Sequence, residues 1–505
     1  MKYGSIATGS KESLNTAKNI LKEGGNAFDA GIAAVFSSMI SEFALTGAGG
    51  GGVLMGMEKG QEPIAYDFFV DCPIGKINDI DFKKINVNFG NTSQGFHIGK
   101  GSTAVPGTIA GLLDIHQEKG ILPLSIILEP AIKLSKEGIV LSKYQSYINS
   151  LIEPILTNSK TGKELFTKNN QFLKTGDTFK NPNFANFLEM LIKNGKDFFY
   201  RGEGAELITK LYSKQGYLNQ ENLNNYKAYK RKALKIDIGE YQIFTNPAPA
   251  YGGTLMAFFL DLLKKSNSLN TDYIKLIKAM ELTSMARNEV CQNPDNEMEI
   301  SNCFNPDIFN KYLHLFNDDD FIGDTTELSG FGSTTHLSII DKNQNVVSVT
   351  TTNGEGSGIF IPEFGILMNN MLGEKDLNPF GFHKWNKQRR LPTMLCPTII
   401  LKNNIPVYAI GSGGSNRIRS AISQVIINLI IKQMSLKESI ESPRIHLEGK
   451  KLFIEPNIKL DKHLYLNHLD INLFKEKNLF FGGVNCASLN DAIGDSRRGG
   501  VGEVI

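Results

Sequence analysis

The sequence predicts an α+β fold, a layered αββα sandwich, and three observations carry that expectation. Strand-like segments lie on both sides of a polar stretch at residues 314–333, and helical patterns alternate with them. A β-hairpin is legible at residues 334–352. The chain has 505 residues, 41% hydrophobic and 21% charged, which supplies a substantial core and excludes a disordered protein. That length allows two to four domains or a single large layered unit.

Taken in order, Met1-Lys2-Tyr3-Gly4-Ser5 reads as running into a helix with no apolar secretory core, so no signal peptide is expected. Ser10 caps that helix, Leu14, Ala17 and Leu21 share its buried face, and Gly24-Gly25 ends it. Asn26 caps a second helix, with Asp29 at its positive end, running through Ala33 and Phe36 toward Ile40. Residues 47–52 formally satisfy G-x-G-x-x-G. A dinucleotide fingerprint must follow a strand and open a helix, whereas here a helix precedes and the strand-like 53–57 follows. The glycines are better read as letting backbones pack closely beneath a site.

Residues 101–114 read as a turn and a helix begun by Pro106, and residues 122–226 as a peripheral helical layer. Residues 236–245 look like one strand, residues 246–253 like a turn, and residues 254–263 and 273–287 like helices. After the hairpin come a glycine-rich loop at 353–358 and strands near 359–361, 398–401 and 407–410. Asn416 then opens an apolar helix at residues 418–431.

The hairpin register follows from its apolar pattern. Pairing Ile340 with Val346 gathers Leu337, Ile339, Val347 and Val349 on one face and Thr334, His336, Ser338, Ser348, Thr350 and Thr352 on the other, with Thr334 opposite Thr352. A hydroxyl-rich face is ordinarily the solvated side of a sheet. The preceding stretch changes the reading, because the acidic run 318–320 and Gly323, Gly330 and Gly332 look like a mobile lead-in. A chain cut before Thr334 would give that residue a free α-amine beside its hydroxyl, the base and the nucleophile in one residue.

Thr334-Thr335-His336, residues 365–370 (Gly-Ile-Leu-Met-Asn-Asn) and residues 411–415 (Gly-Ser-Gly-Gly-Ser) follow in an order that resembles the gamma-glutamyltransferase family. Residues 24–30, 46–52, 105–111 and 495–500 extend the resemblance to nearly the whole chain. It implies an N-terminal-nucleophile hydrolase with the four-layer αββα sandwich. It further implies one precursor cleaved between Ser333 and Thr334, whose segments 1–333 and 334–505 stay interwoven and associated, with a homodimer of such heterodimers as the larger assembly it allows.

Thr334 is then the nucleophile, Thr352 the hydroxyl that orients it, and Gly413 and Gly414 the oxyanion pair, a backbone nest before a helix opening. His336 reads as structural, since its family counterpart is not the base. Substrate recognition departs from the family pattern. Phe69, within Asp67-Phe68-Phe69-Val70-Asp71-Cys72-Pro73, stands about where the carboxylate-binding arginine belongs. Glu374 replaces the usual aspartate for the α-amine, Thr393 alone keeps a hydroxyl where paired serines are usual, and Asn353 is the nearest counterpart of a family asparagine. Losing an arginine fork weakens carboxylate binding, so either Arg417 or Arg389 substitutes or the substrate is not an ordinary γ-glutamyl compound.

The resemblance implies a small amide substrate, glutathione or another γ-glutamyl-like compound, whose acyl group passes to water or an amine, with no cofactor and no metal. The alternatives are a related acylase with another acyl group and a non-catalytic relative that binds a metabolite or partner. Lys plus Arg number 54 against 52 for Asp plus Glu, so charge makes no case for nucleic acid or an anionic membrane surface. The five cysteines are scattered without Cys-x-x-Cys spacing, which suggests buried or idle thiols. Apolar runs fall short of the ~20 residues of a membrane span, so a cytoplasmic location is expected, although many bacterial relatives are exported.

Overall fold

Two antiparallel sheets stack face to face, each with helices on its outer side. The computed structural model describes residues 2–75, 77–88, 93–270, 272–323, 333–460 and 464–505. In chain order the strands are β1 (Gly4–Thr8), β2 (Gly51–Met57), β3 (Ile64–Phe68), β4 (Tyr229–Lys232), β5 (Leu234–Ile238), β6 (Tyr241–Thr245), β7 (Thr335–Asp341), β8 (Val346–Thr352), β9 (Thr398–Lys402), β10 (Ile405–Gly413), β11 (Gly483–Ser488), β12 (Ala492–Ile493) and β13 (Val501–Val504). One sheet runs β4-β3-β2-β8-β7-β1-β13 and the other β5-β6-β9-β10-β11-β12. Both sheets mix strands from before and after Thr334, so segments 1–333 and 334–505 form one interleaved core.

Side-chain parity assigns the layers. Leu337, Ile339, Val347 and Val349 pack outward with α1 (Lys11–Lys22) and α2 (Ala27–Ser41), which are capped by Ser10 and by an Asn26–Asp29 capping box as expected. Ile243, Ile400, Ile410 and Val484 pack outward on the other side, with α4 (Tyr251–Lys265), α5 (Tyr273–Val290) and α6 (Arg417–Ile426); α3 (Thr108–Lys119) belongs to the first helical layer. Met55, Phe244, Ile340, Val346, Ile399, Ala409 and Ala487 fill the space between the sheets. Burial of each large aliphatic side chain contributes about 1.5–3 kcal/mol, and the alternation decides which layer receives it.

Two expectations are corrected. The start of the chain does not run directly into a helix: β1 lies inside the seven-stranded sheet, between β7 and β13. Its polar residues conceal an interior strand, because Ser5 Oγ donates to the Ser488 carbonyl (2.5 Å) and Thr8 Oγ1 to that of Ser10 (2.8 Å). Residues 236–245 are not one strand but the hairpin β5–β6, reversed where Gly239 takes a φ of 58°. Of the proposed lead-in, 314–323 and Ser333 are described, and 314–317 end the helix Pro306–Asn317; residues 324–332 lie outside the described residues.

Candidate active site

Pairing runs from Ile340 with Val346 to Thr335 with Thr351, the register the apolar pattern demands. The hydroxyl-bearing face is not solvated. It faces the second sheet, where Ser348 Oγ donates to the Ile410 carbonyl (3.0 Å) and accepts the Thr398 N–H (3.1 Å). His336 is buried beneath Gly411, with Nδ1 bonded to Thr350 Oγ1 and Nε2 to Ser338 Oγ, both at 2.8 Å. Burial lowers its pKa to about 3, so a neutral ring with both nitrogens engaged, one donating and one accepting, braces the sheets.

At the end of this face stands Thr334, 4% exposed. Thr352 Oγ1 donates to the carbonyl of Ser333 (2.5 Å) and is itself aligned by the Gly354 N–H (3.0 Å). Where the sequence suggested a bond from Thr352 to the Thr334 hydroxyl, the uncut chain has Thr352 reaching the carbonyl just before it. The reason is that Thr334 precedes the regular strand, so the chain crosses Thr352 one peptide earlier. The Ser333 N–H donates to Glu355 Oε1 (3.2 Å). The glycines of the false nucleotide motif lie directly below, with Gly51 paired to Thr352 and a Cβ on Gly50 only 2.1 Å from the Thr352 carbonyl oxygen.

Gly413 ends β10, and a Cβ there would stand 2.1 Å from the Thr334 carbonyl oxygen. Gly414 has a φ of 127°, and among the described residues its N–H has no acceptor. Arg498 lies against both: its Nη1 is 3.3 Å from the Cβ position of Gly413 and its Nη2 3.2 Å from that of Gly414. Its Nε donates to the Leu479 carbonyl (3.2 Å), and among the described residues neither Nη1 nor Nη2 has an acceptor. The only signal of this cation in the sequence is its place in the motif at residues 495–500.

The acid expected at Glu374 is one of three. Glu355, Glu374 and Asp376 are buried together, and burial and mutual repulsion push Glu355 and Glu374 well above the usual carboxyl range, with Asp376 also raised, first by burial. Asp376 receives the Ser415 hydroxyl (3.0 Å) on its carboxylate and Arg287 Nη2 (2.6 Å) on its backbone carbonyl. Asn353 lies next to Thr352, with Nδ2 donating to the Leu367 carbonyl (3.0 Å). Thr393 caps a turn, accepting the Leu395 N–H (3.2 Å), and among the described residues no hydrogen bond joins it to Thr334 or the glycine pair.

Arg417, one of the two candidates for the missing arginine, is already engaged. Its guanidinium is paired with buried Glu448 (2.8 Å) and stacked 4.3 Å from the Phe480 ring centroid, because that pair is its compensation for burial. Arg389 donates to the Arg390 carbonyl (3.3 Å) and lines a small pocket with Tyr251, Glu297 and Trp385. Phe69 is 1% exposed and belongs to the core. Behind β7, Glu42 accepts the Thr335 hydroxyl, and burial pushes its pKa up to about 7.

Together these groups place an alcohol, a hydroxyl-bonded amide carbonyl, a backbone N–H beside a guanidinium, and a buried acidic cluster in one region. Among the described residues no cluster of His, Cys, Asp or Glu suits a metal ion, and no helix is long and apolar enough to cross a membrane. The gamma-glutamyltranspeptidase family matches the chain over residues 14–504. The glutathione hydrolase proenzyme of Escherichia coli K12 is 29% identical over 472 residues, covering 88% of this chain and 81% of that protein. That of Bacillus subtilis 168 is 27% identical, covering 99% and 91%. The crystal structure of a cephalosporin acylase from Bacillus halodurans superposes with a TM-score of 0.83 at 21% identity, covering 99% of this chain and 96% of that one.

Proposed function

Because the chain belongs to the gamma-glutamyltranspeptidase family, we propose that it cleaves itself before Thr334 and then uses that residue to move an acyl group from an amide to water or an amine. The observation that carries this reading is the Thr352 hydroxyl on the Ser333 carbonyl at 2.5 Å, with Gly413 packed under Thr334. In self-cleavage, Thr334 Oγ1 attacks the Ser333 carbonyl carbon, the C–N bond breaks, and the hydroxyl proton ends on the Thr334 nitrogen. Water then hydrolyses the resulting ester, leaving a Ser333 carboxylate and a Thr334 with free hydroxyl and amine. That amine, with an ordinary pKa of about 7.7–8.0, takes the Oγ1 proton in each later acyl transfer. The oxyanion forms toward the Gly413 and Gly414 N–H groups, beside Arg498, and the leaving amine departs with the proton.

The substrate class this supports is a γ-glutamyl amide such as glutathione. Glu374, with Asp376 beside it, suits its ammonium, and Arg498 suits its carboxylate in place of the arginine that Phe69 displaces. Asn353 and Thr393 are the remaining polar candidates around it. A second reading keeps the chemistry and changes the acyl group, and Phe69 favours it, because a core phenylalanine where the family has its arginine offers a substrate carboxylate no partner. A denaturing gel tests the first step: wild type should resolve into two fragments, the smaller beginning at Thr334, while Thr334→Ala stays whole. Turnover of a γ-glutamyl anilide with a raised KM in Arg498→Met selects the first substrate class, and turnover only of other acyl anilides selects the second.

A further inference from the structure

Glu355 sits in a glycine-rich loop and matches no family ligand, yet it touches the peptide that the proposed reaction breaks. We propose that Glu355 is a positioning residue for self-cleavage, holding the Ser333 amide so that its carbonyl is presented to Thr334. The inference rests on the self-processing reading above.

The geometry is a two-point clamp on one residue. The Ser333 N–H donates to Glu355 Oε1 (3.2 Å) while the Ser333 carbonyl receives the Thr352 hydroxyl (2.5 Å). Both holding groups lie within four residues, Thr352 at the end of β8 and Glu355 in the loop after it, and that loop is itself pinned. The Gly354 N–H bonds Thr352 Oγ1 (3.0 Å), the Glu355 N–H bonds Asn370 Oδ1 (3.0 Å), and the Gly356 N–H bonds the Asn353 carbonyl (3.2 Å). Fixing the amide on both sides of the Ser333 Cα removes the rotation that would otherwise carry the carbonyl away from Thr334 Oγ1, and an ordered approach is where much of an intramolecular rate advantage lies.

The setting also argues against a merely structural role. Glu355 is 1% exposed, its Oε2 has no hydrogen-bond partner among the described residues, and Glu374 and Asp376 share its dry surroundings. A glutamine would fill the same space without crowding carboxyls, so a glutamate here costs stability, and strained or repelling groups of this kind gather at working sites.

The test follows self-cleavage of freshly synthesised full-length chain on denaturing gels over time. Glu355→Gln keeps the acceptor oxygen and should cleave within about threefold of wild type. Glu355→Leu loses the acceptor and should cleave about tenfold or more slowly, the rate equivalent of one hydrogen bond. Ser333→Pro removes the donor and leaves Glu355 in place; it should slow cleavage similarly and keeps the test open if Glu355→Leu fails to fold. Wild-type rates in folded Glu355→Leu or Ser333→Pro, or a Glu355→Gln as slow as Glu355→Leu, would overturn the inference. An unbroken wild-type chain would remove the self-processing reading itself, and is told apart because no variant is then slower than its parent.

Discussion

Substituting Gly413 by alanine perturbs the proposed site at its tightest contact. The added methyl would stand 2.1 Å from the Thr334 carbonyl oxygen, 3.0 Å from the carbonyl carbon and 3.3 Å from Arg498 Nη1, where ordinary contact begins at 3.4 Å. Relief requires Thr334 or the glycine loop to retreat by about 1 Å, and a misplacement of that size at a reacting group costs on the order of 10²-fold in rate, about 2.7 kcal/mol. Overpacking takes a further ~1–3 kcal/mol from stability, which a protein of this size tolerates if it folds at all. The assay is kcat and KM for amide hydrolysis on protein whose cleavage state has been read by mass spectrometry, with Tm measured in parallel. The loss is expected in kcat, because the contact concerns the nucleophile and its oxyanion loop more than ground-state binding. A folded Gly413→Ala enzyme within threefold of wild type in kcat/KM would refute the placement of Thr334 against this loop.

Three further outcomes follow from the same geometry. Thr352→Val removes the hydroxyl from the Ser333 carbonyl and should slow self-cleavage by about tenfold to a hundredfold on a gel time course; an unchanged rate would mean that this bond does not assist the reaction. Glu42 has a folded pKa raised from the ordinary 4.5 to about 7, so its contribution is fully present below pH 4.5 and is lost as pH rises through 7. Glu42→Gln should therefore gain on wild type by about 3 kcal/mol between pH 4.5 and 8 in chemical denaturation, and parallel pH curves would contradict the burial argument. His336→Leu leaves Ser338 and Thr350 without their shared partner and should cost roughly 2–3 kcal/mol by denaturant titration. Where it folds, its activity profile between pH 5 and 7 should match wild type, and the loss of an inflection near pH 6 would show that the imidazole takes part in catalysis.

Local pattern made much of the architecture legible. Alternation in 334–352 set the hairpin register because a slip by one residue would exchange its apolar and hydroxyl faces, and Ser10 and Asn26 announced helix starts through caps made within three residues of sequence. What alternation does not reveal is which face is wet. The hydroxyls of Thr350 and Ser338 are buried because a second sheet covers them and His336 satisfies them. β1 escaped notice for the same reason, its serine and threonine being satisfied by partners that sequence order does not bring near.

The sequence by itself determined the chemistry on offer: an alcohol at Thr334 just ahead of a strand, two glycines ahead of a helix, and an acid after Asn369-Asn370. Only the tertiary structure decided which charges face that alcohol. Arg417 was drawn off by Glu448, Arg498 arrived beside Gly413 and Gly414 from the far end of the chain, and Glu355, grouped with Glu374 and Asp376, took the Ser333 N–H. The physical reason is that a buried ion takes whatever partner lowers its desolvation cost, and that choice depends on the three-dimensional packing of distant segments, which local periodicity does not encode.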